Sequence, residues 1–157
     1  MTADIFASLS YCPESGELRW IRSSPRTPAG TVAGCATNRG YISVRIRGRE
    51  YKAHRVAWLL AYGDWPKGDI DHINGVKSDN RLLNLRDVSR SVNCQNKKTA
   101  RRDSSTGVLG VTKSGRLFRA LIQVNGRPVR LGSFATVQEA SVAYLLAKRQ
   151  FHEGNTI

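Results

Sequence analysis

Between residues 69 and 93 the chain commits itself to a strand, a polar loop, a second strand and a helix. Asp69 to Ile73 reads as a short extended piece, Asn74 to Arg81 as a polar loop, and Asn84 to Val88 as a second extended piece. Ser89 is then placed to cap a helix. This order brings distant polar residues to one end of a small motif. Asp71 and His72 stand side by side where the first strand ends, Asn84 follows His72 by twelve positions, and Asn93 falls on the helix. Taken singly, a histidine at a strand end is more often a satisfied surface residue than a base. The joint spacing of the four is what points to chemistry.

The run Asp71-His72-Ile73-Asn74-Gly75-Val76-Lys77-Ser78-Asp79-Asn80-Arg81-Leu82-Leu83-Asn84-Leu85, with Asn93 beyond it, resembles the HNH endonucleases of the phage- and intron-associated homing type. The shared signature reads DHIxGxxxDNRxxNL. The resemblance implies a ββα-metal site holding one divalent cation. It casts His72 as general base, Asp71 and Asn93 as metal ligands, and Asn84 as the residue that braces the loop and orients the histidine. Those residue types suit phosphodiester hydrolysis. A group that titrates near neutrality takes a proton from water, and an oxygen-liganded hard cation stabilises charge on the phosphate and its departing alkoxide. Asn96 is also a candidate ligand one turn further along, although a separation of 22 residues from Asp71 favours Asn93. An amide oxygen binds hard cations and suits zinc poorly, so magnesium or manganese is expected.

Upstream, Glu17 to Ile21 and Tyr41 to Ile46 alternate as strands do, and Gly48 divides Tyr41–Arg47 from Arg49–Ala53 as a hairpin turn. A helix is expected over Ala53 to Tyr62, with Val56, Ala57, Leu60 and Ala61 on its apolar face and Gly63 as its stop. Trp65-Pro66 closes that element. The run His54-Arg55-Val56-Ala57-Trp58 also resembles the helix that precedes the motif in the family, and apolar neighbours make His54 a structural histidine tying helix to motif. His152 is read as structural too. Cys12, Cys35 and Cys94 form no CxxC pair and support neither a disulfide framework nor a zinc knuckle.

After a polar, basic stretch from Lys97 to Gly107, three strands are expected at Val108–Thr112, Leu117–Val124 and Pro128–Phe134, with turns at Ser114-Gly115 and Asn125-Gly126. Thr136 and Glu139 have capping-box spacing ahead of a helix from Val137 to about His152, with Ala140, Ala143, Tyr144, Ala147 and Phe151 on one face. Alternation sends Phe118, Ala120, Ile122 and Val124 toward that helix and Arg119, Leu121 and Gln123 away from it. Residues from Gly107 onward resemble the plant APETALA and ethylene-response-factor DNA-binding domain. The matching pieces are Gly110-Val111, Phe118-Arg119-Ala120-Leu121-Ile122, Val124-Asn125-Gly126, Leu131-Gly132-Ser133-Phe134 and Glu139-Ala140 with Ala143-Tyr144. The resemblance implies a sheet lying in the major groove. Arg119 would then read guanine or grip a phosphate, Gln123 would read adenine, and Arg116, Arg127 and Arg130 would meet phosphates.

Charge agrees with a polyanionic partner. The chain carries 25 Lys and Arg against 12 Asp and Glu, a net +13, and the residues through Asn96 are net +5 while those after it are net +8. At 157 residues it accommodates one ordinary domain or two very small ones, which excludes a large multidomain enzyme. No run approaches the roughly 18 apolar residues of a membrane span. The N-terminal MTADIFASLSYCPESG lacks the pattern of a secretory signal, so an intracellular setting is expected, and the resemblance implies the cytoplasm of a phage-infected bacterial host.

The expected fold class is α+β, a ββα-metal HNH nuclease domain followed by a small three-stranded antiparallel sheet packed on one helix. The nuclease domain is expected over residues 1–98 with its core at about 68–98, a basic linker over 99–106, and the DNA-binding domain over 107–157. The function implied is a monomeric, metal-dependent homing endonuclease acting on double-stranded DNA. The alternative is a catalytically inert, sequence-specific DNA-binding regulator on the same modules. An RNA-binding structural protein is disfavoured, because the presumed binding face lacks the aromatics on which unpaired bases stack.

Overall fold

The computed structural model describes residues 2–156, and the chain divides into two compact units after Arg90. The first contains α1 (Thr2–Ser8), β1 (Leu9–Tyr11), β2 (Leu18–Trp20), β3 (Cys35–Ala36), β4 (Ile42–Ile46), β5 (Arg49–Lys52), α2 (Ala53–Tyr62), β6 (Asp69–His72) and, after a 3-10 turn at Leu82–Asn84, β7 (Leu85–Val88). The second holds the helix α3 (Arg90–Gln95) from its second residue onward, then β8 (Val111–Ser114), β9 (Leu117–Val124), β10 (Arg127–Phe134) and α4 (Val137–Phe151).

In the first unit β3, β4 and β5 form an antiparallel sheet. Its tight hairpin turns through Arg47 at φ 47° and Gly48 at φ 80°, the two left-handed residues a two-residue turn needs to match strand twist. Val44 and Ile46 point into a core with Ile5, Leu9 and Leu18 while Arg45 points out. Val56 and Leu59 of α2 enter the same core, and Ala57 packs instead with Ile70 and Leu85 of the β6–β7 hairpin. The helix is thus wedged between two apolar clusters. This corrects the expected apolar face: Leu59 is fully buried, Leu60 half-buried and Ala61 exposed, because a helix covered on two sides buries a wider stripe, shifted from the one periodicity marks. Gly63, at φ 84°, ends it by donating its N–H to the Leu59 carbonyl.

The β6–β7 hairpin is anchored at its open end. The Arg55 guanidinium of α2 donates to the carbonyls of Gly68 (3.0 Å) and Pro66 (3.3 Å). Asp87 of β7 accepts the backbone N–H groups of Lys67 and Gly68, each at 2.7 Å. Gly68 is required there, since a Cβ would stand 2.3 Å from the Val88 carbonyl oxygen. The strands are shorter than expected at the loop end: Ile73 lies beyond β6, and Asn84 sits in the 3-10 turn because its side chain bonds into the loop.

In the second unit β9 lies between β8 and β10, all antiparallel. The β9–β10 turn uses Asn125 at φ 50° and Gly126 at φ 77°. Val111, Ala120 and Ile122 pack on Ala140, Tyr144 and Ala147 of α4, with Phe118 and Val124 half-buried alongside. The first of these strands starts at Val111 rather than Val108. Gly110, at φ 73°, breaks the extension and lies so close to the Tyr144 ring that a Cβ would stand 2.0 Å from it. The Thr136 hydroxyl accepts the Glu139 N–H at 3.2 Å and caps α4. Phe151 is exposed, contrary to expectation, and the last turn of the covered face is taken by Lys148, which is 1% exposed and donates to the Lys97 carbonyl. That bond holds the start of the basic stretch to the second unit. Gly154 N–H to the Gln95 side chain and the Thr156 hydroxyl to Asn96 do the same for α3 and its end. The division after Arg90 therefore falls earlier than the expected linker at 99–106.

Candidate active site

Strand alternation parts Asp71 from His72. Asp71 pairs in register with Arg86 and His72 with Leu85. Asp71 is 6% exposed, and its Oδ2 accepts from both Nε (2.9 Å) and a terminal nitrogen (2.7 Å) of Arg86. A buried carboxylate must find such compensation, and here the cross-strand guanidinium provides it.

His72 is 5% exposed. Its ring meets that of His54 edge-on, with centroids 5.1 Å apart, and Tyr41 packs on both imidazoles at 5.4 and 6.0 Å. Nε2 of His72 lies 3.3 Å from Oδ1 of Asn80, a buried residue whose carbonyl accepts the Tyr11 hydroxyl at 2.7 Å. Burial pulls the His72 imidazole below its ordinary value against the opposing pull of Asn80 and Asp71, so the ring is neutral, the form a base requires, at pH 7. His54 is pulled further, to about 4, by burial and then by the neighbouring His72. It links α2 to β6, as a structural histidine would.

Asn84 spans the loop. Its Oδ1 accepts the Asn74 N–H at 2.9 Å, its Nδ2 donates to the Asp79 carbonyl at 2.8 Å, and its own carbonyl accepts the Ile73 N–H at 2.9 Å. Asp79 in turn holds Arg81 through two bonds of 2.8 and 2.6 Å and accepts from Asn74 Nδ2 at 2.7 Å. These donors, Arg81 above all, keep its carboxyl far below the usual range. Lys77 lies over the Tyr41 ring at 5.0 Å, leaving a cation beside the histidine pair.

Of the residues singled out from the sequence, Asp71, His72 and Asn84 therefore occur together on the β6–β7 hairpin and its loop. Asn93 lies half-buried on α3, in the second unit. Asn96, just past that helix, is buried and its side-chain oxygen accepts the Thr156 hydroxyl. Among the described residues no cluster of three or more His, Cys, Asp or Glu side chains is gathered. Sequence reasoning missed Asn80, Arg86 and Tyr41. Asn80 stood inside the signature without a role, while Arg86 and Tyr41 became visible through strand register and ring packing.

On the second unit, register puts Arg119, Gln123 and Arg130 on the sheet face opposite α4, beside Thr112 and Ser133. Arg119 is half-buried and donates to the Ser114 hydroxyl at 3.0 Å; Arg130 donates to Ser133 at 2.7 Å. Gln123 is exposed, and its backbone carbonyl accepts from His152 Nε2 at 2.7 Å. Arg116 and Arg127 are exposed at the turns on opposite ends of β9.

With this geometry in place, the model of the family described as HNH endonuclease matches residues 51–95, from β5 to the end of α3. The matched span crosses the division between the two units. No curated protein and no solved structure gives a significant match to the chain. An HNH endonuclease domain thus occupies the stretch that carries Asp71, His72, Asn84 and Asn93, which points to endonuclease action on nucleic acid. Among the described residues no helix is long and apolar enough to cross a membrane.

Proposed function

We propose that the chain is a metal-dependent endonuclease of the homing type that hydrolyses phosphodiester bonds in duplex DNA. One observation carries the reading: within the HNH match, a buried His72 follows Asp71 at the end of β6, ahead of a loop stiffened by Asn84. His72 takes the proton of the attacking water, and Asn84 holds the loop that orients it. Asp71 offers a buried carboxylate, the ligand type a hard cation takes, with the Arg86 guanidinium now on one of its oxygens. Asp71 is the proposed carboxylate ligand. A magnesium or manganese ion held there would supply Lewis-acid stabilisation of the charge developing on phosphate and leaving oxygen.

The second unit, net +8 over residues 91–157, supplies duplex recognition. Arg119 and Gln123 read base edges from the face opposite α4, and Arg116, Arg127 and Arg130 hold phosphates. A monomer acting in the cytoplasm of a phage-infected host is the setting this reading adopts from the resemblance. A supercoiled-plasmid nicking assay with and without magnesium tests it. Metal-dependent nicked or linear product is expected, whereas tight duplex binding with no cleavage under either magnesium or manganese would leave an inert regulator.

A further inference from the structure

Arg86 has no part in the reaction as set out above, yet it makes a two-bond charged contact with the proposed ligand. Two of its bonds fall on one oxygen of Asp71, at 2.7 and 2.9 Å, from the directly opposed position on β7. The Arg86 side chain is 26% exposed and that of Asp71 7%, so the cation reaches solvent while the anion does not. In so shielded a place, losing either partner weakens the compensation of the other's charge.

We infer that Arg86 is the internal counterion of the metal site. It neutralises Asp71 when no cation is bound, and an incoming divalent ion must displace it. The inference rests on the nuclease reading for Asp71 as a ligand and adds a positioning residue that acts through Asp71. A guanidinium on the ligand oxygen excludes a cation from that lone pair and repels one from the other oxygen. Affinity for metal in the free protein is therefore held low. Once displaced, the guanidinium lies one side-chain length from the ligand, where a phosphate is its natural next partner.

Manganese binding by the full chain, followed by the paramagnetic resonance of the free ion and without DNA, tests this. Arg86→Gln is expected to bind manganese about tenfold or more tightly than the wild type, Arg86→Lys to stay near wild type, and Asp71→Asn to abolish the gain in the Arg86→Gln background. A purely structural arginine would predict weaker binding on its loss. Equal or weaker binding by a folded Arg86→Gln overturns the inference. Should that variant fail to fold, the wild-type Arg86 Nε–H resonance decides: faster hydrogen exchange on adding magnesium is expected, and unchanged exchange at saturating magnesium overturns it. Wild-type nicking is scored separately. A protein that nicks DNA but shows neither effect refutes the counterion role alone, whereas a protein that never nicks refutes the nuclease reading and leaves the manganese result to stand by itself.

Discussion

Acidification should unfold the first unit through His54. Its imidazole is 8% exposed, Nδ1 has no hydrogen-bond partner, and the ring abuts that of His72. Burial lowers its folded value from 6.5 to about 4. In the unfolded chain the ring binds a proton below about 6.5, and in the folded chain only below about 4. Between those limits the unfolded state holds more protons, so stability is full above pH 6.5 and is lost as pH falls toward 4. Each tenfold change in proton affinity is worth about 1.4 kcal/mol, so the window removes about 3 kcal/mol, a large share of a small domain's stability. The three tryptophans, Trp20, Trp58 and Trp65, all lie in the first unit, so their fluorescence in urea reports its unfolding directly. His54→Leu fills a similar volume without the titrating nitrogens. Urea midpoints at pH 7, 5.5 and 4.5 should fall steeply in the wild type and much less in the variant. Parallel loss in both proteins would refute the assignment and shift the acid sensitivity to other groups.

His72→Ala should slow single-turnover cleavage by about 10²–10⁴ while gel-shift affinity for duplex DNA stays near wild type. Because burial lowers the His72 value, the wild-type rate should rise with pH on the acid side and be level above pH 6.5, and a rate still climbing tenfold per unit from 6.5 to 8 would identify a different base. Asn84→Ala removes its bonds to the Asn74 N–H and the Asp79 carbonyl and should cost about 1–3 kcal/mol in urea unfolding. Arg119→Ala or Gln123→Ala should cost roughly 1–3 kcal/mol at one position of a bound site. Arg127→Ala should weaken all duplexes alike and flatten the log–log salt slope by about 0.9, so a loss confined to one sequence would remove it from the phosphate-binding set.

What was legible in the sequence was whatever depends on near neighbours. The turns at Arg47-Gly48 and Asn125-Gly126 follow from left-handed backbone that few residues tolerate, and Thr136 with Glu139 announces the start of α4 within one turn. The inward set Phe118, Ala120, Ile122 and Val124 follows from alternation alone. Errors begin where a second body decides. α2 buries Leu59 and exposes Ala61 because it serves two apolar clusters, and no periodicity in ten residues announces two partners. α1, whose Ile5 fills the first core, carries no expected element at all in the sequence reading.

The candidate site divides in the same way. Asp71, His72 and Asn84 lie within one motif, so spacing finds them; the loop bonds of Asn84 then follow from its place where the loop rejoins the strand. Arg86 lies 15 residues from Asp71, outside the signature, and the sequence assigns it no role. Only the pairing of Asp71 with Arg86, one register step from His72 with Leu85, turns it into the counterion of a buried carboxylate. A slip of one residue would carry Arg86 to the other face of the hairpin and leave Asp71 without it. The open end that Asp87 and Arg55 hold through Lys67, Gly68 and Pro66 therefore does more than close a hairpin. By preventing that slip it sets the charge against which any cation at Asp71 must compete, and so couples the packing of α2 to the chemistry of the strand end.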